Sequence, residues 1–184
     1  MTDMDEQTLR ASKLPIKRTA THIYFYGWEG QEPEVCLQQW YECKFTDAAL
    51  LGSPTFKTTE QYMMYRKAIL FHDQATAEKI LAAETPGEAK ALGRQAAPFD
   101  RHNWETSCDG VVEQGNFLKF SQNPELKDIL LGTGDKILVE ASPTDRIWGI
   151  GFDSENAEGN EKDWGANKLG NALMKVRERL RSIK

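Results

Sequence analysis

Two groups of residues in this 184-residue chain combine charge, rings and spacing in a way that could do chemistry. The first is the segment 142–151, Ser-Pro-Thr-Asp-Arg-Ile-Trp-Gly-Ile-Gly, where Asp145, Arg146 and Trp148 stand beside Gly149 and Gly151. A carboxylate, a guanidinium and a flat indole, with glycines that admit another backbone or a ligand, form one of two things. They make either a wall for a polar, ring-containing small molecule or a structural ion pair under a core Trp. The second group is Glu60 and Lys67, seven residues apart and so two turns along one helix face, with Met63 and Met64 between them. An acid and an amine separated by apolar surface can each lose solvent, which moves a Lys pKa down and a carboxylate pKa up toward a working range. The same two charges on a solvated face would do nothing. Trp104, Trp148 and Trp164 each stand near a loop or an element end. An indole there is either a buried anchor or a stacking face for a purine, pyrimidine or nicotinamide ring.

These groups need elements to position them. Residues 136–141 read as a strand ended by Ser142-Pro143, and 147–152 as a second short strand, which puts the Asp-Arg pair on a connection. Residues 22–28 and 36–45 read as extended segments joined by a turn over 30–34. Thr58-Thr59-Glu60-Gln61 has capping-box form and predicts a helix through Leu70; Asp73 caps a second over 74–83. Thr85-Pro86-Gly87-Glu88 opens a third that ends near Arg94. Apolar residues recur at helical spacing from Trp104 to Phe120, and Asn123-Pro124-Glu125 opens a short helix that Gly132 closes. After an acidic surface loop over 153–163, Leu169, Leu173, Val176 and Leu180 form the apolar stripe of a last helix. Its Arg177, Arg179, Arg181 and Lys184 read as a solvated terminus that complements the helix dipole. About six helices and three or four short strands without regular alternation argue against a doubly wound nucleotide fold. The Gly-x-Gly triplets at 132–134 and 149–151 lack the rest of that fingerprint.

Length and composition bound the rest. The chain suffices for one domain, expected over 21–184, preceded by a flexible arm over 1–20 with no chemical role. A formal charge of −5 argues against coating nucleic acid or an anionic membrane through the overall field, so any anionic group must meet a local cluster. Cys36, Cys43 and Cys108 fit no C-x-x-C pattern, and His22, His72 and His102 lack ligand spacing, so neither a disulfide framework nor a metal site is expected. With no run of 18 apolar residues and no signal-peptide h-region, the expectation is a soluble, cytoplasmic protein with no membrane partner.

Taken together, the blocks resemble the NADAR family, also called YbiA-like, from about His22 to Leu180. The residues that carry the resemblance include Gln38-Gln39-Trp40-Tyr41, Glu60-Gln61-Tyr62-Met63-Met64 with Lys67, and Thr85-Pro86-Gly87-Glu88-Ala89-Lys90. They continue with Lys119-Phe120-Ser121-Gln122-Asn123, Leu138-Val139-Glu140-Ala141-Ser142-Pro143, Asp145-Arg146 with Trp148-Gly149-Ile150-Gly151, and Trp164-Gly165 with Asn167. Many bacterial members read Glu-His-Tyr where this chain has Glu60-Gln61-Tyr62. The resemblance implies a single domain of α+β class, mainly α-helical with a few short strands. It also implies an N-glycosidase acting on a phosphorylated riboflavin-pathway intermediate or removing ADP-ribose from modified guanine, on nucleic acid in the latter case. By similarity Glu60, Lys67 and Asp145 are the catalytic candidates, with Trp104, Trp148, Arg146, Asn167 and Gly149 around the substrate.

Cleaving a ribose-to-base bond builds positive charge at the anomeric carbon and negative charge on the base. Glu60 or Asp145 would face the first charge. Lys67 would either donate a proton or, as a neutral amine, attack the opened sugar. No cofactor is required. A module that binds ADP-ribose without turnover would use the same indoles and Arg146, but has no need of a desolvated amine beside a carboxylate. The glycosidase reading expects the helix-borne acid and amine to share one enclosed hollow with the Asp-Arg-Trp loop.

Overall fold

In a computed structural model the chain is described over residues 16–183. It gathers into two compact units, one made of the residues up to 41 and from 124 onward, the other of residues 42–123.

The first unit is built on a three-stranded sheet. Strand β1 (Ile16–Arg18) pairs antiparallel with β2 (His22–Phe25) through a turn in which Thr19 Oγ1 accepts the His22 N–H at 2.9 Å. A later strand of the chain, Ile137–Glu140, lies parallel to β2, with His22 opposite Ile137 and Phe25 opposite Glu140. A parallel pair requires a long crossover, and here the whole second unit lies between the two strands in sequence. Tyr24, Val139, Ala141, Ile150 and Ala157 form a buried cluster, with Phe152 and Trp164 packed against it. A fully buried side chain of the size of Val139 or Ile150 contributes about 1.5–3 kcal/mol.

Four expectations fall differently in this unit. The arm over 1–20 contains β1 at its end, while residues 1–15 lie outside the described residues. Residues 33–37 form a short 3₁₀ helix (Pro33–Leu37), where an extended segment is predicted from Cys36. Residues 147–152 are not a strand, because their carbonyls serve another element, as described below. Arg177 is not solvated: it is 4% exposed and donates to Thr133 Oγ1 at 2.8 Å and Lys136 O at 2.9 Å.

The second unit opens with a two-residue ladder, β3 (Phe45–Thr46) on β4 (Thr55–Phe56), followed by α1 (Thr59–Leu70), α2 (Gln74–Ala82), α3 (Pro86–Gly93) and α4 (Arg101–Gln122). The chain then continues into the first unit through α5 (Pro124–Gly132), β5 (Ile137–Glu140) and α6 (Lys168–Ser182). Helix α1 is central and packs on α2, α3, α4 and β4. All of 59–65 is buried, which a one-sided apolar stripe would not allow. Two glycines let neighbours come this close: a Cβ on Gly93 would collide with Met64, and one on Gly115 would lie 2.6 Å from the Tyr62 ring.

The helix starts follow the sequence signals, with one displacement. Thr58 Oγ1 accepts the Gln61 N–H at 3.1 Å and Thr85 Oγ1 the Glu88 N–H at 3.1 Å. The returning side chains reach one residue further back than a capping box predicts, Gln61 Oε1 to Lys57 N at 2.8 Å and Glu88 Oε2 to Glu84 N at 2.9 Å. Gln61 also donates to Ile80 O at 2.9 Å, so it ties the start of α1 to the end of α2. Among the described residues no helix is long and apolar enough to cross a membrane.

Candidate functional site

The Thr58 cap fixes where α1 begins and so places Glu60 in its first turn, where the helix dipole favours a carboxylate. Glu60 is only 4% exposed. Lys67 lies about 10 Å further along the axis on nearly the same face. Met63 and Met64, between the two in sequence, are buried. The Lys67 amine is half-buried and sits 4.6 Å from the centre of the Phe99 ring and 5.8 Å from that of Trp104. Among the described residues no carboxylate lies within ion-pair distance of it. Burial, and then the charge of Arg94, hold its pKa below the ordinary lysine value. Trp104 stands in the first turn of α4, whose start Asp100 fixes by accepting the Asn103 N–H at 2.7 Å.

Phe99 is a residue that reading the chain for chemistry missed. The one signal for it is an aromatic in a Pro98-Phe99-Asp100 turn.

The other group lies on the loop that leaves β5, and belongs to the first unit. Ser142 Oγ accepts the Asp145 N–H at 3.2 Å. Asp145 Oδ1 then accepts the N–H groups of Ile147 at 2.7 Å and Trp148 at 2.9 Å. This turn leaves Asp145 Oδ2 without a hydrogen-bond partner among the described residues, on a half-buried side chain. Downstream, the carbonyls of Ile147 and Trp148 accept the N–H groups of Lys168 and Leu169, at 3.2 and 3.1 Å. Those are orphan donors at the start of α6, so the run 147–152 caps a helix where a strand is predicted. Trp148 is half-buried, with the Lys168 amine 5.9 Å from its ring.

The remaining candidates divide by what their polar groups already do. Arg146 is exposed, and its guanidinium donates to Asp163 O at 2.7 Å. Asn167 is buried in the left-handed region (φ 47°). Its side-chain amide accepts from Glu140 N at 3.0 Å and donates to Leu138 O at 2.9 Å, serving the edge of β5 as a neighbouring strand would. Gly149 is buried, and a Cβ there would lie 2.8 Å from Glu140 O, so its open space belongs to the protein's own backbone. Trp164 donates to Ala157 O at 3.0 Å and meets Tyr24 edge-on, which makes it an anchor of the core.

Chemically, the second unit offers a buried carboxylate and an amine covered by rings. The first unit offers a half-open carboxylate beside an indole and an exposed guanidinium. That inventory suits cleavage of a bond whose departure creates a cationic sugar and an anionic ring.

The NADAR domain profile matches residues 24–181. The chain is 40% identical to N-glycosidase R617 of Acanthamoeba polyphaga mimivirus, across 87% of this chain and 96% of that protein. It is 36% identical to riboflavin biosynthesis protein VVA0006 of Vibrio vulnificus, across 86% of this chain and 38% of that one. The NMR structure of Escherichia coli YbiA superposes with a TM-score of 0.70 at 28% identity, covering 94% of this chain and 92% of that chain. Matched along almost its whole described length, the chain belongs to the NADAR family and is an enzyme of the N-glycosyl hydrolase class.

Proposed function

We propose that the substrate is a phosphorylated ribosylated base, either a riboflavin-pathway intermediate or an ADP-ribosyl group on guanine. The observation that carries the reading is the Lys67 amine. It is half-buried, has no carboxylate within ion-pair distance among the described residues, and shares a helix face with buried Glu60. Burial, and then the charge of Arg94, hold its pKa below the ordinary lysine value, the direction that eases loss of its proton, and a binding module does not require this.

In this reading the bond from the anomeric carbon to the base nitrogen breaks with its electron pair leaving on the base. A proton reaches the base from Lys67, hydroxide from water ends on the anomeric carbon, and the remaining proton of that water restores Lys67. A carboxylate, Glu60 or Asp145, faces the cationic sugar. Alternatively Lys67 in its neutral form attacks C1 of the ring-opened sugar, the bond from C1 to the base nitrogen breaks and the base leaves carrying the proton the amine gives up, and water then hydrolyses the resulting Schiff base to the sugar aldehyde and free Lys67. Trp104, beside Lys67, is the ring face proposed for the base; within the other unit Trp148 is a candidate ring face and Arg146 a candidate cation for phosphate. Asn167 and Gly149 serve by shaping the loop and do so without touching substrate. The name of the Vibrio relative supports the riboflavin-pathway choice.

The test is to incubate the protein with a ribosylaminouracil phosphate and, separately, with DNA carrying ADP-ribosylated guanine, and to follow free base and free ADP-ribose by chromatography. Turnover of one supports the reading and selects the substrate. Stoichiometric binding of either without release of products would replace it with the non-catalytic reading.

A further inference from the structure

Phe99 is a large apolar side chain left 51% exposed, in the four-residue stretch between Gln95 and the Asp100 cap of α4. Such exposure is unremarkable on a loose loop, but this loop is held. Asp73, the cap of α2, accepts the Thr76 N–H at 3.0 Å with one oxygen and the Ala97 N–H at 3.1 Å with the other. These bonds keep the Asp73 carboxyl below its usual pKa. Phe71, buried at the end of α1, meets the Phe99 ring edge-on with centroids 5.3 Å apart. The ring is therefore fixed from two sides while staying open to solvent, and what it covers is the Lys67 amine at 4.6 Å. Trp104, from the first turn of α4, stands 5.8 Å away and makes a second aromatic wall.

We propose that Phe99 is a positioning residue acting through Lys67, its ring face holding the amine over the α1 surface in the place a carboxylate would otherwise take. Cation–π attraction has the strength for this when the cation is partly desolvated, and it fixes the amine without neutralising it. An acidic partner would hold the amine more tightly, but would also raise its pKa and keep it protonated. A ring also favours the charged form, but only by about a pKa unit or less, so the proton stays exchangeable. The charged groups around the amine are few. Arg94, after α3, opposes its charge; Glu60 lies two turns away on α1, Arg66 is its neighbour in sequence, and the α4 neighbour is the uncharged Trp104. The inference rests on the reading of Lys67 as the exchanging amine, but its test does not depend on substrate.

The test uses Phe99→Leu, which keeps apolar volume but has no π face, and Phe99→Tyr, which keeps the face. The titration midpoint of Lys67 is read by competitive labelling with acetic anhydride across pH, peptide by peptide, with exposed Lys79 as internal standard. The account expects the midpoint in Phe99→Leu to fall by about half a unit to one unit, and the Tyr variant to titrate within a few tenths of wild type. Where turnover is found, kcat should fall about ten-fold in the Leu variant, with KM little changed and recovery in the Tyr variant. A Lys67 midpoint unchanged in a folded Phe99→Leu would overturn the proposal, leaving Phe99 as packing for Phe71. Failure of both substrates with a shifted midpoint would instead sink the proposed substrates and leave the aromatic contact standing.

Discussion

Asp145 Oδ1 accepts the backbone N–H of Trp148 at 2.9 Å, so the carboxylate and the indole proposed to act on one substrate are held by one turn. The same oxygen also accepts the Ile147 N–H at 2.7 Å, while Oδ2 has no hydrogen-bond partner among the described residues. Structure and chemistry thus fall on different oxygens of one group.

That division separates two substitutions. Asp145→Asn can keep its carbonyl oxygen toward the two N–H groups, so its thermal midpoint should stay within a few degrees of wild type while turnover falls about a hundred-fold or more. Asp145→Ala removes both acceptors and should in addition lose about 1–3 kcal/mol of stability in urea titration. Equal stability of the two variants would contradict the assignment of Oδ1 to the turn.

Close backbone approach gives a second expectation. A Cβ on Gly170 would collide with Leu138 O, where α6 packs on β5, and one on Gly165 would collide with the backbone of Arg146. Backbone atoms on both sides cannot swing away as a flexible side chain can. Gly170→Ala should therefore destabilise the fold by about 3 kcal/mol or more, whereas Gly132→Ala, with open space around its Cβ, should stay near wild type. Urea melts of the pair decide the matter.

Tyr62 should leave a signature at alkaline pH. Its hydroxyl donates to Asp47 Oδ2 at 2.9 Å and accepts from Arg66 Nη1 at 2.6 Å, and burial pushes its pKa up to about 12. The folded value lies above the ordinary value near 10. The contribution is therefore fully present below about pH 10 and is lost as pH rises through about 12, on the order of 2–3 kcal/mol. In Tyr62→Phe that part of the alkaline loss should be missing, although the variant starts lower because Asp47 and Arg66 each lose a bond. Urea midpoints at pH 9 and pH 11 measure both; an alkaline slope as steep as wild type would contradict the shift.

Arg177 offers a fourth check. Its buried guanidinium serves Thr133 Oγ1 and Lys136 O, and burial lowers its pKa. Arg177→Leu should cost about 2–4 kcal/mol by leaving those acceptors unsatisfied. A loss below 0.5 kcal/mol in thermal unfolding would instead suit the solvated terminus that the sequence predicts.

Those residues also show what sequence could and could not reveal. Three helix starts were legible because capping is local: Thr58, Asp73 and Thr85 each act on an N–H three residues on, whereas Asp100, which caps α4 in the same way, lies in a stretch that reads as a break. Partners distant in the chain were not. Arg177 reads as one more basic residue in a last turn, since Thr133 lies 44 residues away. The run 147–152 alternates like a strand, and only the N–H groups of Lys168 and Leu169 reveal that it caps a helix. Asn167 and Gly149 carry the family signature for a similar reason, because their contacts with β5 shape the loop. Glu60 and Lys67 were legible as a pair since helical spacing alone puts them on one face. Phe99 was not, because the approach of the α3–α4 loop to α1 is a tertiary contact.

Of the two carboxylates, Glu60 shares the α1 face with Lys67, and these two residues are the ones proposed to carry the cleavage. That claim is tested most directly by single-turnover release of free base from the substrate that wild type accepts, in Lys67→Ala and Glu60→Gln variants of verified fold. The account predicts losses of about a thousand-fold or more in each, with circular dichroism and binding of the intact substrate retained. Release at near wild-type rate in either variant would contradict it.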